Sequence, residues 1–285
     1  MFSNIKITEP IFLRNLFLYP ICGESEDGFK LSTIDEVLSA GKGAFRELDT
    51  PDINEIIFEN NNHWPALMLD GEEITGSLQN RISTVSNIVE ARSSRHLPVV
   101  CVEEGRWNEI GGFQTGHCSY PKIRTILAKS RKKIDTQNSI WKEITRKISS
   151  SKTISTTSSM HDIFNNLQAE IDRYMEDFHG LNHKTVGFIG VVGKQILGSD
   201  IFFNPEIYKK FEKKLLRSYV LDAIEHQKTQ EGKFDVENFL SDVLMVLSQK
   251  RITFTSKNIK VKGHGFSGQA LIYKNRPLHV SIFPT

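Results

Sequence analysis

Residues 70–107 read DGEEITGSLQNRISTVSNIVEARSSRHLPVVCVEEGRW, and this stretch decides how the rest of the chain is read. Short apolar runs alternate with acids, amides, arginines and one thiol. Ala66 to Leu69 is apolar and stops at Asp70-Gly71, a turn signal. Gln79 to Val85, Asn87 to Val89 and Val99 to Glu103 carry the β-branched and polar residues that suit strands. Side chains alternate along a strand, so Gln79 and Arg81 share one face, and Cys101 and Glu103 another. With Val100 and Val102 toward a core, Cys101 and Glu103 would face a second layer or a cleft. Gly105 then ends the strand and presents Arg106 and Trp107.

Two readings of the polar residues stand. In the first, Glu72, Gln79, Arg81, Cys101, Glu103 and Arg106 line a pocket. The guanidiniums offer planar forks to phosphate or carboxylate, and the glutamates accept from hydroxyls or act as acid and base. In the second, the same acids and arginines pair with each other and tie strands together.

The segments DGEEITGSLQNRI and PVVCVEEGRW closely resemble the ADP-ribosylglycohydrolase and rhodanese-phosphatase-associated protein domain family. The resemblance covers nearly the whole chain, through SIWKEI, STTSSMHDIF, VGFIGVVGKQILGSDIFFNPE, LLRSYVLDAI and PLHVSIF. The family pattern matches at Gly71, Glu72, Gly76, Gln79, Asn80, Arg81, Cys101, Glu103, Gly105, Arg106 and Trp107. It implies a standalone domain without an established activity, associated in genomes with enzymes that process ADP-ribose and NAD. On that basis the expected partner is an NAD-derived or ADP-ribose-like nucleotide. Glu72 and Glu103 are the candidate acid/base or hydroxyl-binding groups. Arg81 and Arg106 would hold the anion, Gln79 and Asn80 orient the ligand, and Trp107 stacks on a base. The alternative is a protein-interaction or scaffold module in which these residues form a structural network.

Bulk properties narrow the classes. The 285 residues allow one large domain or two smaller ones. Hydrophobic content of 39%, charged content of 25% and a net charge of +2 are ordinary for a globular protein. That near-neutral charge gives no argument for nucleic acid or an anionic membrane surface. Three cysteines without a CxxC give no disulfide framework or zinc knuckle and fit a reducing cytoplasm. No apolar run approaches the roughly 18–20 residues that span a bilayer, and the N-terminus lacks a signal-peptide layout. The expectation is a soluble, cytoplasmic protein with no metal; a cofactor cannot be named.

Along the chain, residues 11–21 read as a core strand ending at Pro20. A helix follows with Ser32 or Thr33 as its cap and Gly41 just past its end. Glu55 to Glu59 and Trp64 to Leu69 read as strands, and Gly111, Gly112 and Gly116 as a loop carrying His117 and Cys118. Residues 121–149 are helical in composition, and their basic run (Arg124, Lys129, Arg131, Lys132, Lys133) reads as a solvated face. The Ser/Thr-rich run 150–159 divides a strand-rich lobe, 1–149, from an α+β lobe, 160–285, or is a surface loop of one domain. Ser159 caps a helix whose apolar stripe runs Ile163, Leu167, Ile171, Met175, Phe178 to Gly180. His179 and His183 straddle that glycine and are set aside as metal ligands. Gly193-Lys194 joins a hairpin, Asn204-Pro205 and Asp235 open helices, and strands are expected at Ile252 to Thr255, Gln269 to Tyr273 and His279 to Phe283. The GxGxxG spelled by residues 263–268 precedes another strand-like run, so it reads as a hairpin and not as a dinucleotide fingerprint. Cys101, a strand cysteine among valines, reads as an inert thiol. His279 needs a carboxylate that the sequence does not locate. The fold class is α+β: a strand-rich N-terminal half, sandwich- or barrel-like, and helices packed on a second group of strands.

Overall fold

The computed structural model describes residues 5–24, 30–130, 133–226, 235–249 and 257–285. The fold is α+β, as expected. The chain forms two compact units, each built from separate segments. One contains residues 1–28, 120–129 and 168–285, the other 29–119 and 130–167. The Ser/Thr-rich run 150–159 lies inside the second.

The first unit is built on an antiparallel eight-stranded sheet. Its order is Lys6–Ile7, Leu16–Cys22, Thr185–Val192, Gln195–Phe202, Arg276–Pro284, Phe266–Tyr273, Lys257–Gly263, with Ile11–Leu13 also paired to Leu16–Cys22. Alternation along the central strand sends its side chains to two covered faces. Phe188 packs edge-on against Tyr219 of the helix Pro205–Glu225, whereas Ile189 and Val191 join a cluster with Val236, Leu240, Val243 and Leu247 of the helix Val236–Ser248. Asn204 caps the longer helix by accepting from Ile207 N–H, with Pro205 in the first turn; Asp235 caps the other through Asn238 N–H. The 263–268 glycines are a hairpin between two strands, as read from the sequence, with Gly265 at φ +75°.

The apolar run 11–21 departs from expectation. It is two strands, because Arg14 (φ +56°) and Asn15 make a tight turn, and Pro20 sits within the second. The expected stripe from Ile163 to Phe178 is likewise two helices, Met160–Asn166 and Gln168–Met175, interrupted at Leu167. The expected strand Ile252 to Thr255 lies outside the described residues.

The second unit contains a nearly closed six-stranded barrel ordered Ile110–Cys118, Glu72–Ser77, Arg81–Ser83, Ser93–Cys101, Glu55–Asn60, Gly43–Arg46. Its end strands approach through Phe45 and Phe113, ring centres 6.0 Å apart. Ile56, Phe58, Ile74, Leu97 and Val99 fill it. Thr33 and Glu36 form a capping box on the helix Ile34–Ser39. The glycine-rich segment expected as a loop is the strand Ile110–Cys118, with two register shifts. Gly116 serves close approach, since a Cβ there would stand 2.1 Å from Glu73 Oε2, and Gly111 takes a left-handed φ of +61°. Among the described residues no helix is long and apolar enough to cross a membrane.

Candidate functional site

The GE…QNR and CVEEGRW segments meet in the second unit. The turn after the strand Glu72–Ser77 is forced left-handed at Gly76 (φ +93°) and Ser77 (φ +45°). A Cβ on Gly76 would lie 2.3 Å from Gly112 O, so only glycine fits there. This turn delivers Gln79 and Asn80 to the chain that follows Cys101.

Glu103 and Arg106 form the centre of one group. Arg106 Nε and Nη2 donate to Glu103 Oε1 and Oε2 at 2.9 and 2.7 Å. Its remaining donors go to the carbonyls of Ser77 and Asn108 and to Asn80 Oδ1. Glu103 also accepts from Asn80 N–H at 3.0 Å and Thr157 Oγ1 at 2.8 Å. Gln79 Nε2 donates to Glu103 O, and Asn80 Nδ2 donates to Ser159 Oγ. Burial by itself raises the Glu103 carboxyl, but the bonds from Arg106, Asn80 and Thr157 outweigh it and hold it below the usual range. Glu103 and Arg106 are 4% and 6% exposed, and both carboxylate oxygens are occupied. These four sequence-picked residues therefore meet as a mutually satisfied network.

A second group gathers at one end of the barrel interior. Arg81 opposes Cys101 in register and Ile74 on its other side, so it points inward with Ile74 and Val99. The inference that Cys101 faces away from the core is therefore corrected: both faces of this strand are covered, and Val100 and Cys101 are equally buried. The Arg81 side chain is wholly buried and donates through Nη1 to both oxygens of Glu47 at 3.0 Å. Its Nε and Nη2 find no oxygen or nitrogen acceptor among the described residues. Trp107 lies over the guanidinium, 5.9 Å to the ring centre, and is 50% exposed. Ser77 bridges the two groups: its carbonyl accepts from Arg106 and its hydroxyl donates to Glu47 at 2.9 Å.

Glu72 is engaged in the turn before it, where Oε2 accepts Leu69 N–H at 2.6 Å. The sequence reading missed Glu47, which sits in an unremarkable run between strands. It also missed Glu73, whose neighbour Glu72 drew the attention.

The first unit holds a different polar cluster. Arg124 donates twice to Asp200, at 2.9 and 2.6 Å, Tyr219 Oη donates to Asp200 at 2.9 Å, and His279 Nε2 lies 2.9 Å from it. Asp200 is the carboxylate that the sequence could not place beside His279. Burial raises its carboxyl, but Arg124 and His279 overcome this and drive it far below the usual range. Arg124, read as part of a solvated face, is instead fully buried.

A family model for the ARG and Rhodanese-Phosphatase-superfamily-associated Protein domain matches residues 4–283. The chain belongs to that family. Neither the curated proteins nor the solved structures compared with it contain a match. Both units fall within the family domain, as do both polar clusters. Among the described residues of the domain, no group of three or more His, Cys, Asp or Glu is placed to hold a metal ion.

The domain's three cysteines are all free and buried. Burial pushes the Cys101 thiol up to about 11, and the adjacent Arg81 opposes this only in part. At pH 8 roughly a thousandth of such a thiol is ionised. Native protein mixed with a thiol-exchanging dye at pH 8 should therefore label at least about a hundredfold more slowly than denatured protein. Rapid labelling of Cys101 in the native state would contradict this.

Proposed function

We propose that the family domain in this chain binds a small anionic ligand bearing a flat ring, of the NAD-derived or ADP-ribose class, at the barrel end where Arg81, Glu47 and Trp107 gather. The observation that carries the reading is Arg81: a fully buried guanidinium with two of its three nitrogens lacking an oxygen or nitrogen acceptor. Unmet charged donors are expensive inside a protein, and a phosphate or carboxylate oxygen matches their planar fork. The half-exposed indole of Trp107 offers a stacking surface and must swing to admit the anion. In this reading Glu103, Arg106, Gln79 and Asn80 hold the floor of the site, and Glu72 holds the turn beneath it. The expected setting is the cytoplasm, where buried free thiols stay reduced. Nucleic acid is not an expected partner, given a net charge of +2.

A thermal-shift series with NAD, ADP-ribose, its cyclic and phosphorylated variants, and simple nucleotides tests this. A ligand at 100 times its dissociation constant adds about 2.7 kcal/mol, which raises the midpoint by a few degrees. The shift should vanish in Trp107→Ala, a change at an exposed side chain. If no nucleotide shifts the protein, the second reading takes over: a protein-interaction module. It is favoured by Ile53, Trp107 and Ile110, which are 42%, 50% and 53% exposed.

A further inference from the structure

The opposite side of the same strand pair carries a separate constellation. Ile74 points into the barrel, so Glu73 points out of it, yet Glu73 is fully buried. Its Oε2 lies 2.9 Å from His161 Nδ1 and accepts His117 N–H at 3.1 Å. Its Oε1 is buried with no hydrogen-bond partner among the described residues. The His117 ring stacks on Phe164, 4.2 Å away and 9° from parallel, and its centre is 5.1 Å from that of His161. Gly116 lets the backbone close over the carboxylate.

We infer that Glu73 and His161 form a general-base site for hydrolysis of an ester, acyl or phosphoryl, with His161 Nε2 as the proton acceptor and Glu73 as its positioning residue. Three observations carry it. A buried carboxylate holding Nδ1–H fixes the tautomer that leaves Nε2 as a base, the arrangement used wherever a carboxylate orients a catalytic imidazole. The His161 side chain is 32% exposed, so water and substrate reach it, whereas Glu73 is sealed. The backbone N–H of His117 holds Oε2 from a second side and fixes the carboxylate against His161. The groups that face His161 are Glu73, Asp162, Glu103 and His117. The Glu73 hydrogen bond leads the acids in raising the imidazole above its usual value, against burial, which lowers it.

In the reaction, water gives a proton to Nε2 as its oxygen bonds to the carbonyl carbon or the phosphorus. The bond from that atom to the leaving oxygen breaks, and the imidazolium returns the proton to that oxygen. Nothing is oxidised or reduced, and no other reactant is needed. The site does not use Arg81 or Trp107, although Glu103 neighbours both it and the ligand site proposed above.

The test is release of p-nitrophenolate from p-nitrophenyl acetate and from bis(p-nitrophenyl) phosphate by the full chain, against free imidazole at equal concentration. At least one probe should be hydrolysed more than tenfold faster than by imidazole, and which one distinguishes acyl from phosphoryl chemistry. His161→Asn with an unchanged thermal midpoint should lose at least tenfold in rate. Glu73→Gln, which keeps the shape of the side chain, should move the half-maximal rate to lower pH. Neither probe exceeding imidazole, or His161→Asn retaining the full rate, overturns the inference. Where His161→Asn does not fold, an unmoved pH midpoint in Glu73→Gln overturns it.

Discussion

Replacing Asp200 with alanine is expected to destabilise the first unit by about 3–5 kcal/mol. The change removes the buried carboxylate that accepts two bonds from Arg124 and one from Tyr219 Oη and that lies 2.9 Å from His279 Nε2. Urea titration read by circular dichroism measures it, and a loss below about 1 kcal/mol would refute the role. The space around the cluster is closed as well as its bonding: a Cβ on Gly198 would stand 2.6 Å from the Phe283 ring and 3.0 Å from Tyr219 Oη. Little relaxation is therefore available to the variant. The pH dependence follows from the direction of the shift. The Asp200 carboxyl is depressed in the folded protein, so its contribution is fully present above the unfolded value, near 3.8, and is lost as pH falls below it. Asp200→Asn should flatten the acid limb of the stability curve relative to wild type.

The second large effect is expected at Arg106. Arg106→Ala leaves Glu103 buried without its cation and the carbonyls of Ser77 and Asn108 without their guanidinium donor. A loss of about 3–5 kcal/mol is expected in the second unit. The Glu103 carboxyl is held low in the wild type, so this stabilisation too is present above about pH 4.5 and disappears toward acid. Arg106→Lys is a sharper probe than alanine. Lysine keeps the charge but cannot span both oxygens of Glu103 while reaching two carbonyls, so it should recover less than half of the loss. Full recovery by lysine would mean that the planar fork is not what matters. The Glu103–Arg106 group and the Asp200 group belong to different units.

These two clusters differ in how legible they were in the sequence. Gln79, Asn80, Glu103 and Arg106 lie within 28 residues of one another and were grouped by residue type and by the family pattern, whereas the left-handed turn at Gly76 that brings them together was not read. Local signals were read correctly elsewhere. The Thr33–Glu36 capping box, the Asn204-Pro205 helix start, the Asp235 cap and both glycine hairpins each depend on neighbours a few positions away. The Arg124–Asp200–Tyr219–His279 cluster draws on four distant segments, and nothing local distinguishes Arg124 from a solvent-facing base. The strand Ile110–Cys118 was hidden by its glycines, which look like loop composition. Gly116 is required by its approach to Glu73, a contact that only the folded barrel creates. His161 was not singled out, because its carboxylate partner is 88 residues away.

The interleaving of the two units bears on how the chain is made. The second unit ends at Leu167, so all of it has been synthesised while 118 residues of the first, 168–285, are still to come. The strand Leu16–Cys22 of the first unit precedes the whole second unit in sequence, yet it has no central partner until Thr185–Val192 has been synthesised. A strand translated before the second unit is thus paired across its sheet only after that unit has been synthesised. Until then its apolar residues Leu16, Leu18 and Ile21, all fully buried at the end, must be kept from other edges. A chain ending between Leu167 and Thr185 would lack that strand's central partner while keeping every residue of the second unit.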